Sequence, residues 1–308
     1  MFDANPQPPG GQPAHVVFHA DNPALEICRP AAQCVPLVFA SPHSGRRYPD
    51  ALLAASGLDL PTLRASEDAF VDQLFDWVPS LGAPLLLAHF PRVWVDANRD
   101  AREIDPAMFL DPVPAAAHIA SARVGAGLGV IPKVVADGQA IRSRPLTWAE
   151  GAARLAQCHT PYHHALAALI AETRARFGVT VLIDCHSMPS AAVVRGNRHA
   201  GPDVVLGDGY GASAGPWLMA HAEQAFTTAG FAVKRNHPYA GGYTTRHYGR
   251  PRDGVHALQI EINRRLYMDE KRVSPGPDLP AVRRRLAGAV EDLVTAIAGL
   301  LHEARAAE

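Results

Sequence analysis

Two histidines, His43 and His186, each follow a short apolar run. Two imidazole nitrogens and one carboxylate oxygen would make the three-ligand set of a hydrolytic zinc site, with the fourth position left to water. No H-E-x-x-H stretch ties them into a local motif, so spacing alone leaves both open between metal ligand and hydrogen-bonded scaffold. Glu67 and Asp68 follow Ser66 and are candidates for the carboxylate, but acids in a helix's first turn would equally complement its dipole. Glu261 stands in Leu258-Gln259-Ile260-Glu261-Ile262-Asn263, whose strict alternation puts Gln259, Glu261 and Asn263 on one face. A carboxylate in such a strand is costly unless paired or functional, which leaves a general base and a buried ion pair as the two readings. Residues 241–250 join glycines to Tyr243, Arg246, His247, Tyr248 and Arg250, a composition suited to closing over an anionic substrate or to an exposed basic loop. Cys185 beside His186 does not read as a thiol–imidazole dyad, because strand neighbours point to opposite sides. Residues 207–211 are glycine-rich but lack the Lys-Ser/Thr of a phosphate loop.

The elements that must position these groups follow from hydrophobic period. Val35-Pro36-Leu37-Val38-Phe39-Ala40 reads as a strand stopping at the turn cluster that holds His43, and Val179 to Asp184 as a strand buried on both faces that delivers Cys185-His186-Ser187. Ser66 is placed to cap a helix carrying Phe70, Val71, Leu74, Phe75 and Val78. Residues 84–90 and 92–96 are apolar runs, the second ending near Asn98-Arg99, and residues 100–147 read as long loops. A helix from Trp148 is interrupted at Thr160-Pro161, where a new one starts and runs to Gly178. Strands at 204–206, 231–234 and 255–262, helices at 214–229 and 280–303, and a loop at 236–254 complete the chain. This rhythm predicts one α/β domain over residues 1–308 with a mixed or parallel sheet, preceded by a loose Pro/Gly-rich arm over residues 1–14. Ligands of such sheets bind at strand C-terminal ends, where His43, Asn98-Arg99 and His186 fall.

The composition of the 308 residues supports a large core, with 48% hydrophobic and 19% charged residues. With 29 Lys plus Arg against 30 Asp plus Glu, the net charge of -1 provides no global attraction for nucleic acid or an anionic membrane, so an anionic ligand must be gripped locally. The first residues carry neither a basic n-region nor an apolar h-region, and no apolar run approaches the roughly 20 residues of a membrane span, so a cytoplasmic protein is expected. Cys28, Cys34, Cys158 and Cys185 form no C-x-x-C pair and are expected as free thiols.

Seven segments, in order from about residue 35 to 270, together resemble the N-formylglutamate amidohydrolase family. They are Ser41-Pro42-His43-Ser44-Gly45, Ser66 to Asp72, Val95 to Arg99, Pro161-Tyr162-His163, Asp184-Cys185-His186-Ser187, Gly241 to Gly249 and Gln259-Ile260-Glu261. The resemblance implies a three-layer α/β/α fold with a mixed central sheet, like the zinc carboxypeptidases and aspartoacylase. It implies one divalent metal ion, zinc, held by His43, His186 and an acid. Carboxypeptidase-like enzymes take that acid three residues after the first His, where this chain has Arg46, so Asp68 is preferred, with Glu67 as the alternative. Glu261 is then the general base toward a metal-bound water, and Asn98, Arg99, Arg246, Tyr243 and His247 the substrate contacts, Arg99 and Arg246 also counted as catalytic. Arg92, Arg250 and Arg264 are the other guanidinium candidates. The implied reaction cleaves the formyl amide of N-formyl-L-glutamate, a small dicarboxylate, to glutamate and formate, a step of histidine degradation. Its rivals are a hydrolase of another N-acyl amino acid or short peptide, and a non-catalytic small-molecule binder. Oligomeric state is left open.

Overall fold

The computed structural model describes residues 17–18, 20–135, 137–193 and 201–306, with side chains through residue 300. The expected arm over residues 1–14 lies outside the described residues. The strands of the main sheet are β1 (Leu25–Cys28), β2 (Leu37–Ser41), β3 (Leu85–Ala88), β4 (Thr180–Met188), β5 (Val204–Gly207), β6 (Val233–Arg235) and β7 (Val255–Asn263), and Met268–Asp269 pairs with Ser274–Pro275 in a separate two-stranded sheet. The helices are α1 (Asp50–Ala55), α2 (Leu60–Arg64), α3 (Val71–Leu74), α4 (Ala122–Gly125), α5 (Trp148–Arg154), α6 (Thr160–Phe177), α7 (Pro216–Thr228), α8 (Tyr243–Tyr248) and α9 (Leu279–Ala306).

The seven strands form one sheet in the order β1-β3-β2-β4-β7-β5-β6. Strands β3, β2, β4 and β7 run parallel, while β1 and β5 join antiparallel, so the sheet is mixed as the sequence predicts. β4 and β7 pair from Thr180↔Val255 to Met188↔Asn263, and every residue of both is buried. Cover on both faces explains the continuous apolar run Val181-Leu182-Ile183 of β4, while β7 alternates from Leu258 to Asn263 because one of its buried faces carries polar side chains. On one face Val181, Ile183, Leu258 and Ile260 pack with Leu218 and Phe226 of α7 and Leu286 and Leu293 of α9. On the other, Val38, Leu182 and Ala257 pack with Leu166 and Leu169 of α6. Helices on both faces make the three layers.

Local differences from the sequence reading have physical causes. The helix expected from Ser66 is reduced to α3, because Phe70 adopts a left-handed φ of 65° and separates Ser66–Asp68 from the helical residues. Residues 92–96 fold as a turn, the Trp94 and Val95 N–H groups both donating to the Pro91 carbonyl. The break expected at Thr160-Pro161 is instead a π turn over Leu155–His159 that joins α5 to α6 with right-handed helical backbone throughout. Widening the turn accommodates the N–H that Pro161 lacks, a common use of π bulges. The expected loop at 236–254 contains the short helix α8.

Candidate active site

Because side chains alternate along a strand, Asp184 and His186 of β4 leave the sheet on the face opposite to Cys185, which lies in the apolar core where burial pushes its thiol well above the ordinary value. Gln259 and Glu261 of β7 emerge on the same face as Asp184 and His186, since His186 and Glu261 are register partners in parallel strands. β2 ends two residues before His43 and brings it alongside. The segment before α3 enters the same space, anchored by the Asp68 N–H, which donates to the His43 carbonyl at 3.0 Å.

His43 Nδ1 lies 3.3 Å and His186 Nδ1 2.9 Å from the same oxygen, Asp68 Oδ2, and the two rings stand 4.9 Å apart. All three residues are almost wholly buried, at 1%, 2% and 3% exposure for His43, Asp68 and His186. Their ligand atoms fall within 4.8 Å of one another, so this His–Asp–His group could bind a metal ion. The opposite ring nitrogens are held by two further acids, His43 Nε2 by Asp96 Oδ1 at 2.8 Å and His186 Nε2 by Asp184 Oδ2 at 2.9 Å. If each Nε2–H donates to its acid, both Nδ1 lone pairs face a carboxylate oxygen, and three electron-rich atoms converge with nothing positive between them. A cation resolves that arrangement, and carboxylates behind metal-binding histidines fix the tautomer in this way. The donor set, two nitrogens and one oxygen, fits zinc.

The charges answer to the same geometry. Burial alone would raise the Asp68 carboxyl, but hydrogen bonds to His186 and His43 outweigh it and hold Asp68 well below the usual carboxylate range. Burial alone would lower the His186 pKa, but Asp184 and Asp68 outweigh it and raise it well above the ordinary value, so a proton on Nδ1 answers to the same negative charge that a bound cation would. Asp68 Oδ1 also accepts from Arg264 Nη2 at 3.1 Å and from Ser187 Oγ at 3.4 Å. Glu261 has less compensation. Burial, with Asp68 adding to it, pushes its carboxyl up to about 7 against the opposing pull of His186. Its Oε1 accepts from Gln259 Nε2 at 2.7 Å.

The cluster lies in a cavity of about 500 Å³, whose lining also includes Asn98, Arg99, Arg92, Arg123, Arg264 and Tyr239. Of the residues singled out in the sequence, the structure brings His43, Asp68, His186, Asn98, Arg99 and Glu261 to this cavity. Asn98 Oδ1 accepts from the Thr244 N–H at 2.8 Å, and its Nδ2 lies 3.2 Å from His186 Nε2. Gly242 is required there, because a Cβ on it would lie 2.2 Å from Asn98 Nδ2. Arg99 is held by the carbonyls of Leu128 and Asn98 and lies 3.7 Å from Asp96.

Glu67 points elsewhere, accepting from Tyr48 Oη at 2.7 Å and from Arg64, and does not reach the cluster. Arg246, Tyr243 and His247 do not line the cavity. α8 turns Thr244 and Thr245 inward, so Arg246 and His247 fall on its exposed side, where the Tyr243 and His247 rings stack 4.8 Å apart. The sequence reading missed Asp96 and Asp184. Each stands two residues before a site residue, Asn98 or His186, and for Asp184 strand alternation is a signal that could have found it.

Comparison with known proteins agrees with this architecture. A model of the N-formylglutamate amidohydrolase family matches residues 35–268. The chain is 34% identical over 240 residues to an N-formylglutamate deformylase of Pseudomonas aeruginosa, covering 77% of this chain and 84% of that one. It is 31% identical over 242 residues to the N-formylglutamate deformylase of Pseudomonas putida, covering 77% and 83%. The crystal structure of N-formylglutamate amidohydrolase from Ralstonia eutropha JMP134 superposes with a TM-score of 0.81 at 33% identity, over 92% of this chain and 99% of that one. The chain is an amidohydrolase and belongs to the N-formylglutamate amidohydrolase family.

Proposed function

We propose that the protein hydrolyses the formyl amide of N-formyl-L-glutamate to L-glutamate and formate, using one divalent metal ion, zinc, held by His43, Asp68 and His186. The observation that carries this reading is the convergence of His43 Nδ1 and His186 Nδ1 on one Asp68 oxygen, with Asp96 and Asp184 behind the imidazoles and Glu261 beside them in the same cavity. The names of the two Pseudomonas relatives supply the substrate.

A divalent ion in this set supplies Lewis acidity and lowers the pKa of an attacking water toward ~7. Asp96 and Asp184 keep both histidines in the tautomer whose Nδ1 is free to ligate. Glu261 accepts the proton of the attacking water and returns it to the departing amine nitrogen as the C–N bond breaks. Its Oε1 is occupied by Gln259, which leaves Oε2 for the transfer. A base with a pKa near the working pH combines adequate driving force with the correct starting protonation state. Arg99, buried and cationic at the cavity wall, stabilises negative charge developing on the formyl oxygen, and Asn98 orients the amide. Arg246, on the outward side of α8, contributes positive potential from outside the cavity rather than a contact.

The test is formate release from N-formylglutamate by the purified protein before chelation, after chelation and after zinc is restored. Turnover lost on chelation and regained with zinc is expected. A zinc-loaded protein that releases no formate would overturn the substrate assignment, and turnover that survives complete metal removal would overturn the metal assignment.

A further inference from the structure

Among the described residues four guanidinium groups line the cavity, and three are committed to the metal-binding cluster or its supports. Arg92 Nε donates to Asp96 at 3.0 Å, Arg99 is held by the Leu128 and Asn98 carbonyls beside Asp96, and Arg264 binds Asp68 and Ser187. Arg123, on α4, is different. Among the described residues it has no ion-pair partner, and its Nη1 is buried with no hydrogen bond. The acids that act on it through space are already engaged, Glu103 by Ser121 Oγ at 2.9 Å and Asp96 by His43 and Arg92. Burial draws the Arg123 guanidinium below its ordinary value, and the charge of Arg246 lowers it further. A buried donor with no partner among the described residues is costly, and more so when charged, which calls for an anion from outside the chain.

The surroundings say which anion. Leu128, Pro132 and Val134 line the cavity and come from the same excursion, between β3 and α5, that carries Arg123. This one segment therefore supplies an apolar wall for methylene groups and a planar fork of donors suited to a carboxylate. We infer that Arg123 is a specificity-determining residue that binds the side-chain carboxylate of an N-acyl dicarboxylic amino acid, with the chain's methylenes against Leu128 and Val134. The α-carboxylate, next to the scissile amide, then falls to the guanidiniums anchored at the cluster. This rests on the reading of the site as an N-formylglutamate hydrolase.

The experiment compares wild type, Arg123→Gln and Arg123→Lys, all zinc-loaded, on N-formylglutamate and on N-formylglutamine, which replaces the side-chain carboxylate with a neutral amide. Since Arg123 makes no hydrogen bond or ion pair to the described residues, both variants are expected to fold. Wild type should prefer N-formylglutamate, and Arg123→Gln should reduce that kcat/KM preference by about 10²-fold, mostly through KM, because a site built for a hydrogen-bonding group loses its discrimination with its donor. Arg123→Lys keeps the charge without the fork and should fall between. Equal losses on both substrates, or no loss, would overturn the assignment. If wild type turns over neither substrate, the hydrolase reading fails, and Arg123 is decided by calorimetry with glutarate and butyrate. Glutarate binding weakened at least about tenfold in Arg123→Gln, with butyrate less affected, upholds the carboxylate site. No glutarate binding to wild type, or equal affinity in the variant, refutes it.

Discussion

His186 and Glu261 are register partners on adjacent parallel strands, so the sheet itself sets a ring nitrogen aimed at Asp68 beside a carboxylate pushed up to about 7. Neither group depends on a loop for its placement, which makes this pair the rigid side of the site. His43 and Asp68 come from the segments that follow β2 and precede α3, and they close on it from opposite directions.

Replacing Glu261 with Gln keeps its volume and its contact with Gln259 but removes the proton acceptor. The rate should fall by about 10²–10⁴-fold with zinc content unchanged, as general-base removal typically does. Because the base must be deprotonated to act, the wild-type kcat/KM should rise with pH through an apparent pKa near 7 or below, and this limb should vanish in the variant. A Glu261→Gln enzyme with the wild-type pH profile would sink the assignment.

Asp68→Ala and Glu67→Ala separate the two neighbouring acids. Asp68→Ala should lose tight zinc binding, measured as metal content after dialysis, because one of three protein ligands is gone. Glu67→Ala should keep its zinc and instead lose about 1–3 kcal/mol of stability, since it leaves the Tyr48 hydroxyl and Arg64 without their acceptor.

Asp96→Asn and Asp184→Asn probe the acids behind the histidines. Each should weaken zinc affinity by about 10–100-fold in a competition titration with a chelator. Wild-type affinity in both would show that the histidines need no orientation from behind.

Stability at low pH should respond to His163. Its Nε2 donates to the Ala97 carbonyl at 2.9 Å, and its Nδ1 lies 2.9 Å from Tyr248 Oη. Burial, reinforced by the charge of His159, lowers its pKa from 6.5 to about 3. A base depressed in the folded state leaves the unfolded chain binding the extra proton, so stability is lost as pH falls below 6.5, at up to about 1.4 kcal/mol per pH unit. Denaturant melts of His163→Gln between pH 7 and 4 should show a shallower loss than wild type, and an identical slope would count against the assignment.

Gly242→Ala tests how closely α8 must approach Asn98. A Cβ 2.2 Å from Asn98 Nδ2 must displace that side chain or the helix. Overpacking of this kind costs about 1–3 kcal/mol, and here the displaced Asn98 sits against His186 and Asp184. Activity should therefore fall more than the melting temperature alone accounts for.

The sequence by itself determined the strands that carry the site, β2, β4 and β7, and the groups on them. The apolar runs ending near His43 and His186 and the alternation around Glu261 are one-dimensional signals, because strand period dictates which side chains share a face. The ordered set of motifs also points to the family without reference to any contact. Tertiary structure alone decided the rest. Glu67 and Asp68 are adjacent and chemically alike, and what separates them is the left-handed Phe70 and the His43 carbonyl, which together turn one acid into the cluster and leave the other with Tyr48 and Arg64. Arg246 and Arg123 exchange prominence for a similar reason. A guanidinium in a basic loop is conspicuous in a sequence, yet α8 exposes Arg246, while Arg123, in a stretch without periodicity, is carried to the cavity wall with no acid of the described residues paired to it. Which charges remain unpaired depends on distances between residues far apart in the chain, and periodicity carries no information about those.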